Sequence, residues 1–163
     1  MIKEKDLEEL RPVVRYQNGE GITLQSLQTA LKDAANSHGI PVAFSMDEVK
    51  YGGLIGGSTE QCLVLYHPEH EKNYYKVCCT VKRQGNYAFV SVHTFGKSTN
   101  LNNAALKDFR KDIYKNGSMS EKVGAAIGGG IRNLIVGGAN KQKIEEEQMW
   151  YAVVSDIFDE VVC

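Results

Sequence analysis

Val81-Lys82-Arg83-Gln84-Gly85-Asn86-Tyr87-Ala88-Phe89-Val90 is the stretch from which the fold is read. A Gly-Asn pair stands between two strand-like runs, the signature of a two-residue hairpin loop. That loop sets the register of everything outward from it. Gln84 faces Tyr87, Val81 faces Val90 and Cys79 faces Val92, which makes one apolar face. On the other face Lys82 opposes Phe89, Thr80 opposes Ser91 and Cys78 opposes His93. Alternation puts Arg83 on the apolar face at the strand end, so its stem is expected to carry the charge past the sheet.

Strand-like patterning extends on both sides of this hairpin. The expected strands are Val42–Tyr51, Gln61–Tyr66, Tyr74–Arg83 and Tyr87–Phe95, joined by short connections and therefore antiparallel. Matching Leu63 to Val77 and Leu65 to Tyr75 keeps apolar residues together. It also sets Cys62 beside Cys78, giving a row of Cys62, Cys78 and His93. A one-residue slip would destroy that row.

Helical spacing flanks the strands. Lys3–Leu10 reads as a short helix stopped near Pro12, followed by an extended Pro12–Tyr16. Thr23 is a natural N-cap for a helix carrying Leu24, Leu27, Leu31 and Ala34, ended by Gly39. After Gly96, three helices are expected: Asn102–Lys115, a second opened by the capping box at Ser118-Met119-Ser120-Glu121, and a third over about Lys141–Val162. Segregated strands and helices predict one α+β domain over residues 1–163, an antiparallel four-stranded sheet with an N-terminal helix and three C-terminal helices packed on it.

Composition narrows the function classes. The chain has 163 residues, 42% hydrophobic and 24% charged, enough for a single ordinary core. A net charge of -1 argues against a nucleic-acid partner driven by phosphate neutralisation. The charged start Met1–Asp6 lacks the apolar run of an export signal, and no apolar run is long enough for a membrane span. A cytoplasmic protein is therefore expected, with Cys62, Cys78, Cys79 and Cys163 as reduced thiols.

Candidate chemistry is sparse. Cys78 and His93 form a candidate thiol–imidazole pair, since a neighbouring imidazole can stabilise a thiolate. Tyr74, Phe89 and Phe95 are candidate ligand-binding residues on an aromatic sheet face. No set of four ligands supports a metal site, and no cofactor motif appears: the glycines of 124–130 lack the Lys-Ser/Thr ending of a P-loop and the preceding strand of a dinucleotide fingerprint. Glycines inside a helix are unfavourable. Gly124 and Gly128, one turn apart, therefore point to close backbone packing, with a homodimer as one partner. Glu145-Glu146-Glu147 reads as a solvated helix face, and His67-Pro68-Glu69-His70-Glu71 as a polar hairpin loop that fits a weak metal site and an exposed turn equally well. The leading expectation is a non-enzymatic binding or protein-interaction module. The alternatives are a small enzyme using Cys78 and His93, or a small-ligand-binding domain on the aromatic face.

Overall fold

The computed structural model describes residues 1–53, 55–102 and 141–162. Its elements are β1 (Ile2–Lys3), β2 (Glu8–Gln17), α1 (Leu24–Ser37), β3 (Ala43–Tyr51), β4 (Ser58–Tyr66), β5 (Lys76–Gln84), β6 (Tyr87–Phe95) and α2 (Lys141–Val162). Among the described residues the strands form one six-stranded sheet in the order β1-β3-β4-β5-β6-β2. β1 lies parallel to β3, and the other neighbours are antiparallel.

The β5–β6 hairpin follows its sequence. Gln84 pairs with Tyr87, Val81 with Val90, Cys79 with Val92 and Cys78 with His93. Gly85 takes φ +57° while Asn86 does not turn positive, the pattern of a type II′ loop. Cys79, Val90 and Val92 are buried in the larger core, with Val81 packed at its margin. Arg83 escapes as its position requires, donating hydrogen bonds to the carbonyls of Gly19, 2.8 Å away, and Ile22. Those contacts hold the turn before α1, which Thr23 opens by a reciprocal bond with Ser26. Leu27, Leu31, Ala34 and Ala35 bury the inner side of α1, and Gly39 at φ +65° ends it.

The expected four-stranded antiparallel sheet is corrected to a six-stranded mixed one. The extra strands are the N-terminal residues. Lys3–Leu10 is not a helix: Leu7 and Leu10 have helical spacing, yet they bury on opposite faces of the sheet. Pro12 sits within β2 because β2 is an edge strand, where a missing N–H is tolerated. The expected packing of three C-terminal helices on the sheet is replaced, among the described residues, by one such helix. Only α2 belongs to the described residues, while the expected helices at 102–115 and after 118 fall on residues 103–140, outside them. Gly124 and Gly128, and the dimer contact expected of them, lie outside the described residues as well.

One connection governs the shape of the sheet. β1 and β2 lie at its two ends, yet only Glu4–Leu7 joins them, part of it wound as a 3-10 turn. A flat sheet of six strands separates its edge strands by about 24 Å. The five steps from Lys3 to Glu8 reach at most about 18 Å. The sheet must therefore curl. Residues from β3 and β6 accordingly meet around a shallow depression of about 430 Å³ lined by Ile2, Asp6, Asp47, Phe95 and Lys97.

Two faces result. The helix face carries the main core, where Leu63, Leu65, Val77, Cys79, Val90 and Val92 meet Leu27 and Leu31 of α1 and Ile144, Tyr151, Val154 and Phe158 of α2. The opposite face is crossed by an N-terminal strap, residues 2–7, and is here the strap face; it holds Val49, Cys62, Val64 and Cys78 beneath Ile2 and Leu7.

Gly19 marks where the loop before α1 meets the sheet. Its N–H donates to the Asn86 carbonyl at 3.0 Å, and a Cβ there would stand 2.5 Å from the Ala88 Cβ. Gly19→Ala is expected to destabilise the fold by about 1–3 kcal/mol through overpacking. Gly21→Ala, with no atom within 4 Å of its Cβ, leaves that packing untouched. Chemical denaturation of the two variants distinguishes them.

Candidate functional site

The strap face carries the chemistry expected of the hairpin. Antiparallel pairing places Cys78 opposite His93, and the next strand adds Glu9 opposite His93. Cys62 is displaced from its expected position. Leu63 pairs with Cys79 and Leu65 with Val77, a shift of two residues, so Val64 opposes Cys78 and Cys62 opposes Asp47 on β3. The cause is the β4–β5 loop. Bonds from Asn73 and Tyr74 to the His70 carbonyl wind it into a turn that removes Tyr74 and Tyr75 from the strand. A two-residue shift preserves side-chain parity, so Cys62 and Cys78 remain on one face as diagonal neighbours.

These thiols are enclosed. Cys62 and Cys78 are both 0% exposed. A hydrogen bond with Cys62 and burial together push the Cys78 thiol far above the ordinary thiol range. Burial likewise pushes Cys79 up to about 12. A nucleophilic thiol needs the reverse, a lowered pKa and a path to substrate. Further along the same face, Lys82 lies 3.9 Å from a Glu60 carboxylate oxygen and 4.4 Å above the Tyr51 ring. Burial and Glu60 raise the Tyr51 phenol.

The three aromatic candidates do not share a surface. Phe95 packs at the edge of the strap-face cluster, and Phe89 is half-buried opposite Lys82. Tyr74 has left the strand and buries on the helix side. There it stacks on His70 at 4.3 Å and stands 6.1 Å from Trp150, with His67 5.5 Å away. His67 accepts the Glu69 N–H at Nδ1, which leaves Nε2 to carry the proton of the neutral ring. Burial, with His70 beside it, holds its pKa down. Among the described residues no cluster of three His, Cys, Asp or Glu side chains is placed to hold a metal ion.

The most perturbed carboxyl escaped the sequence reading. Glu147 does not belong to a solvated face: it is 0% exposed. Its position carried the signal, since Ile144, Glu147, Tyr151, Val154 and Phe158 repeat at helical intervals along the buried side of α2. Burial raises its pKa to about 8, against the opposing pull of Ser98 and the Tyr75 backbone. Ser98 Oγ accepts the N–H groups of Asn100 and Leu101, so it gives its own proton to Glu147 Oε2 at 2.7 Å. Glu147 Oε1 is buried without a side-chain hydrogen-bond partner among the described residues. Glu147 thereby ties the segment after β6 to α2, whose Tyr151 hydroxyl donates to the Tyr75 carbonyl at 2.5 Å. Gln148 and Ser155 lie on one side of the same helix, buried and likewise without partners among the described residues.

No protein family matches the chain, and no curated protein or solved structure matches it.

Glu147 makes stability depend on pH. The unfolded chain releases this proton near 4.5, the folded one near 8. Its contribution is therefore complete below 4.5 and is lost as pH rises through 8. Glu147→Gln is expected to flatten that part of the stability profile and to be the more stable form at the alkaline end. The gap is on the order of several kcal/mol between the extremes. Melting temperatures of both proteins from pH 5 to about 9 measure it.

Proposed function

We propose that this chain is a non-enzymatic binding or protein-interaction module. The observation that carries this reading is the enclosure of Cys78. It is the nucleophile that the hairpin register pairs with an imidazole, yet it is 0% exposed and its thiol is pushed away from ionisation. Catalysis by a thiolate requires an oriented base, donors for developing charge and room for substrate. The strap occupies the room. Binding without chemistry requires accessible surface, and exposed apolar residues such as Met46 at the sheet edge supply it. A reducing compartment, the cytoplasm, suits the unpaired buried thiols Cys62, Cys78 and Cys79. No described helix is long and apolar enough to cross a membrane.

Thiol reactivity tests this reading in a Cys163→Ser background. Cys62, Cys78 and Cys79 are expected to react with an alkylating reagent only through opening of the fold, at least about 100-fold more slowly than free cysteine. Unfolding in denaturant should release all of them. Fast alkylation of Cys78 at pH 6, abolished by His93→Ala, overturns the module and establishes a thiol–imidazole enzyme.

A further inference from the structure

We infer that the open edge of β3, Ala43–Asp47, is a docking surface for a second copy of this chain, joined antiparallel about Ser45. The inference rests on the interaction-module reading and names its partner. It begins with the unequal treatment of the two sheet edges. β2 is a defended edge, with Pro12, register breaks on both sides of Arg11, and the charges of Glu8, Glu9, Arg11 and Arg15. β3 has no such defence over Ala43-Phe44-Ser45-Met46. β1 covers only its far end, pairing Ile2 with Val49 and Lys3 with Lys50. The Met1 amine lies 3.3 Å from the side-chain oxygen Oδ1 of Asp47. Ala43–Asp47 remains as a strand edge without a pairing partner among the described residues. Ser45 and Met46 are exposed, Met46 by 49%. Unpaired strand N–H and C=O groups of this kind accept another strand.

The edge complements itself. Antiparallel pairing about Ser45 sets Phe44 against Met46 of the second copy, and Met46 against its Phe44. Ala43 then meets Asp47, so no like charges oppose. Phe44 already packs against the helix-face core, and the second Met46 would extend that core across the junction. The column also has the right length. Beyond Ala43 each chain leaves the sheet at Pro41, whose carbonyl accepts the Trp150 indole N–H at 3.0 Å. In this register Pro41 of the second copy, where its chain turns toward its own helix layer, reaches the level of Val49, where β1 begins. A two-fold axis through Ser45 makes the contact isologous, and it closes at a dimer.

The experiment uses the full chain with Cys163→Ser. Sedimentation velocity from about 10 μM to about 1 mM should show a concentration-dependent dimer, weak because a short strand edge buries less than a standard interface. Met46→Lys should remove the dimer, while Val13→Lys on the opposite edge leaves it unchanged. Both positions are solvent-exposed, so melting temperature confirms that the fold is retained. Register has its own readout. Ser45→Cys places two thiols across the axis at about 4.5–5.5 Å between Cα atoms, within disulfide reach. Met46→Cys places them on a diagonal at about 7–8 Å. Oxidised glutathione, itself reduced to two thiols, should cross-link the first at least tenfold faster than the second. A strictly monomeric protein overturns the inference and leaves the edge to an extended segment of another protein. A dimer indifferent to Met46→Lys, or equal cross-linking at the two positions, overturns it too. None of these outcomes bears on Cys78, so the module reading stands or falls separately.

Discussion

The crossing at Glu4–Leu7 is the constraint on which the rest of the molecule depends. It joins the two ends of a six-stranded sheet with less chain than a flat sheet would need. Curling follows from that length alone. With β1 before it, the crossing also places Ile2 and Leu7 on a sheet face that no described helix covers. Burial of Cys62 and Cys78 is thus a consequence of how the chain enters the fold. So is the partial cover of β3, since β1 is long enough to pair with only two of its residues.

The polar groups that look most chemical are integrated into packing. Glu147 receives the hydroxyl of Ser98 and stays protonated because its surroundings disfavour a buried charge. The Tyr151 hydroxyl donates to the Tyr75 carbonyl just before β5, and the Trp150 indole N–H donates to the Pro41 carbonyl just before β3. Arg11 on β2 forms a 2.7 Å ion pair with Asp159 on α2, fastening the edge strand to the helix layer. α2 is consequently bonded by side chains to β2, to the start of β3 and to the segments flanking β5 and β6. It acts as the centre of the helix face more than as a surface helix.

Edges decide where such a protein can meet others. Among the described residues, helices cover one face of the curled sheet and residues 2–7 cover part of the other, while backbone groups stand at the rims. Proline, register breaks and charge blunt one rim, and the other presents an uncharged run with an exposed methionine.

Short-range chemistry was legible in the sequence. Gly85-Asn86 determined the β5–β6 register, because a two-residue loop admits one pairing and alternation follows from it. Thr23 and Gly39 determined the ends of α1 through capping and positive φ. The periodicity of Lys141–Val162 determined α2. Tertiary structure decided the rest. Residues 3–10 combine helical spacing with alternating charge, and only strand partners distant in sequence, Val49–Lys50 and the residues of β6, turn them into two sheet edges. The β4–β5 register shifted by two residues because the loop between them wound into a turn, and a longer loop does not dictate pairing as a tight one does. Cys78 and His93 were placed opposite each other by sequence, but the accessibility of Cys78 depended on a strap folding over it. Glu147 sat on a legible helical stripe, while its neutrality came from the burial and hydrogen bonds that assembled around it. Local geometry is encoded by adjacent residues; burial is a property of what distant segments bring, and it was burial that set the chemistry of these groups.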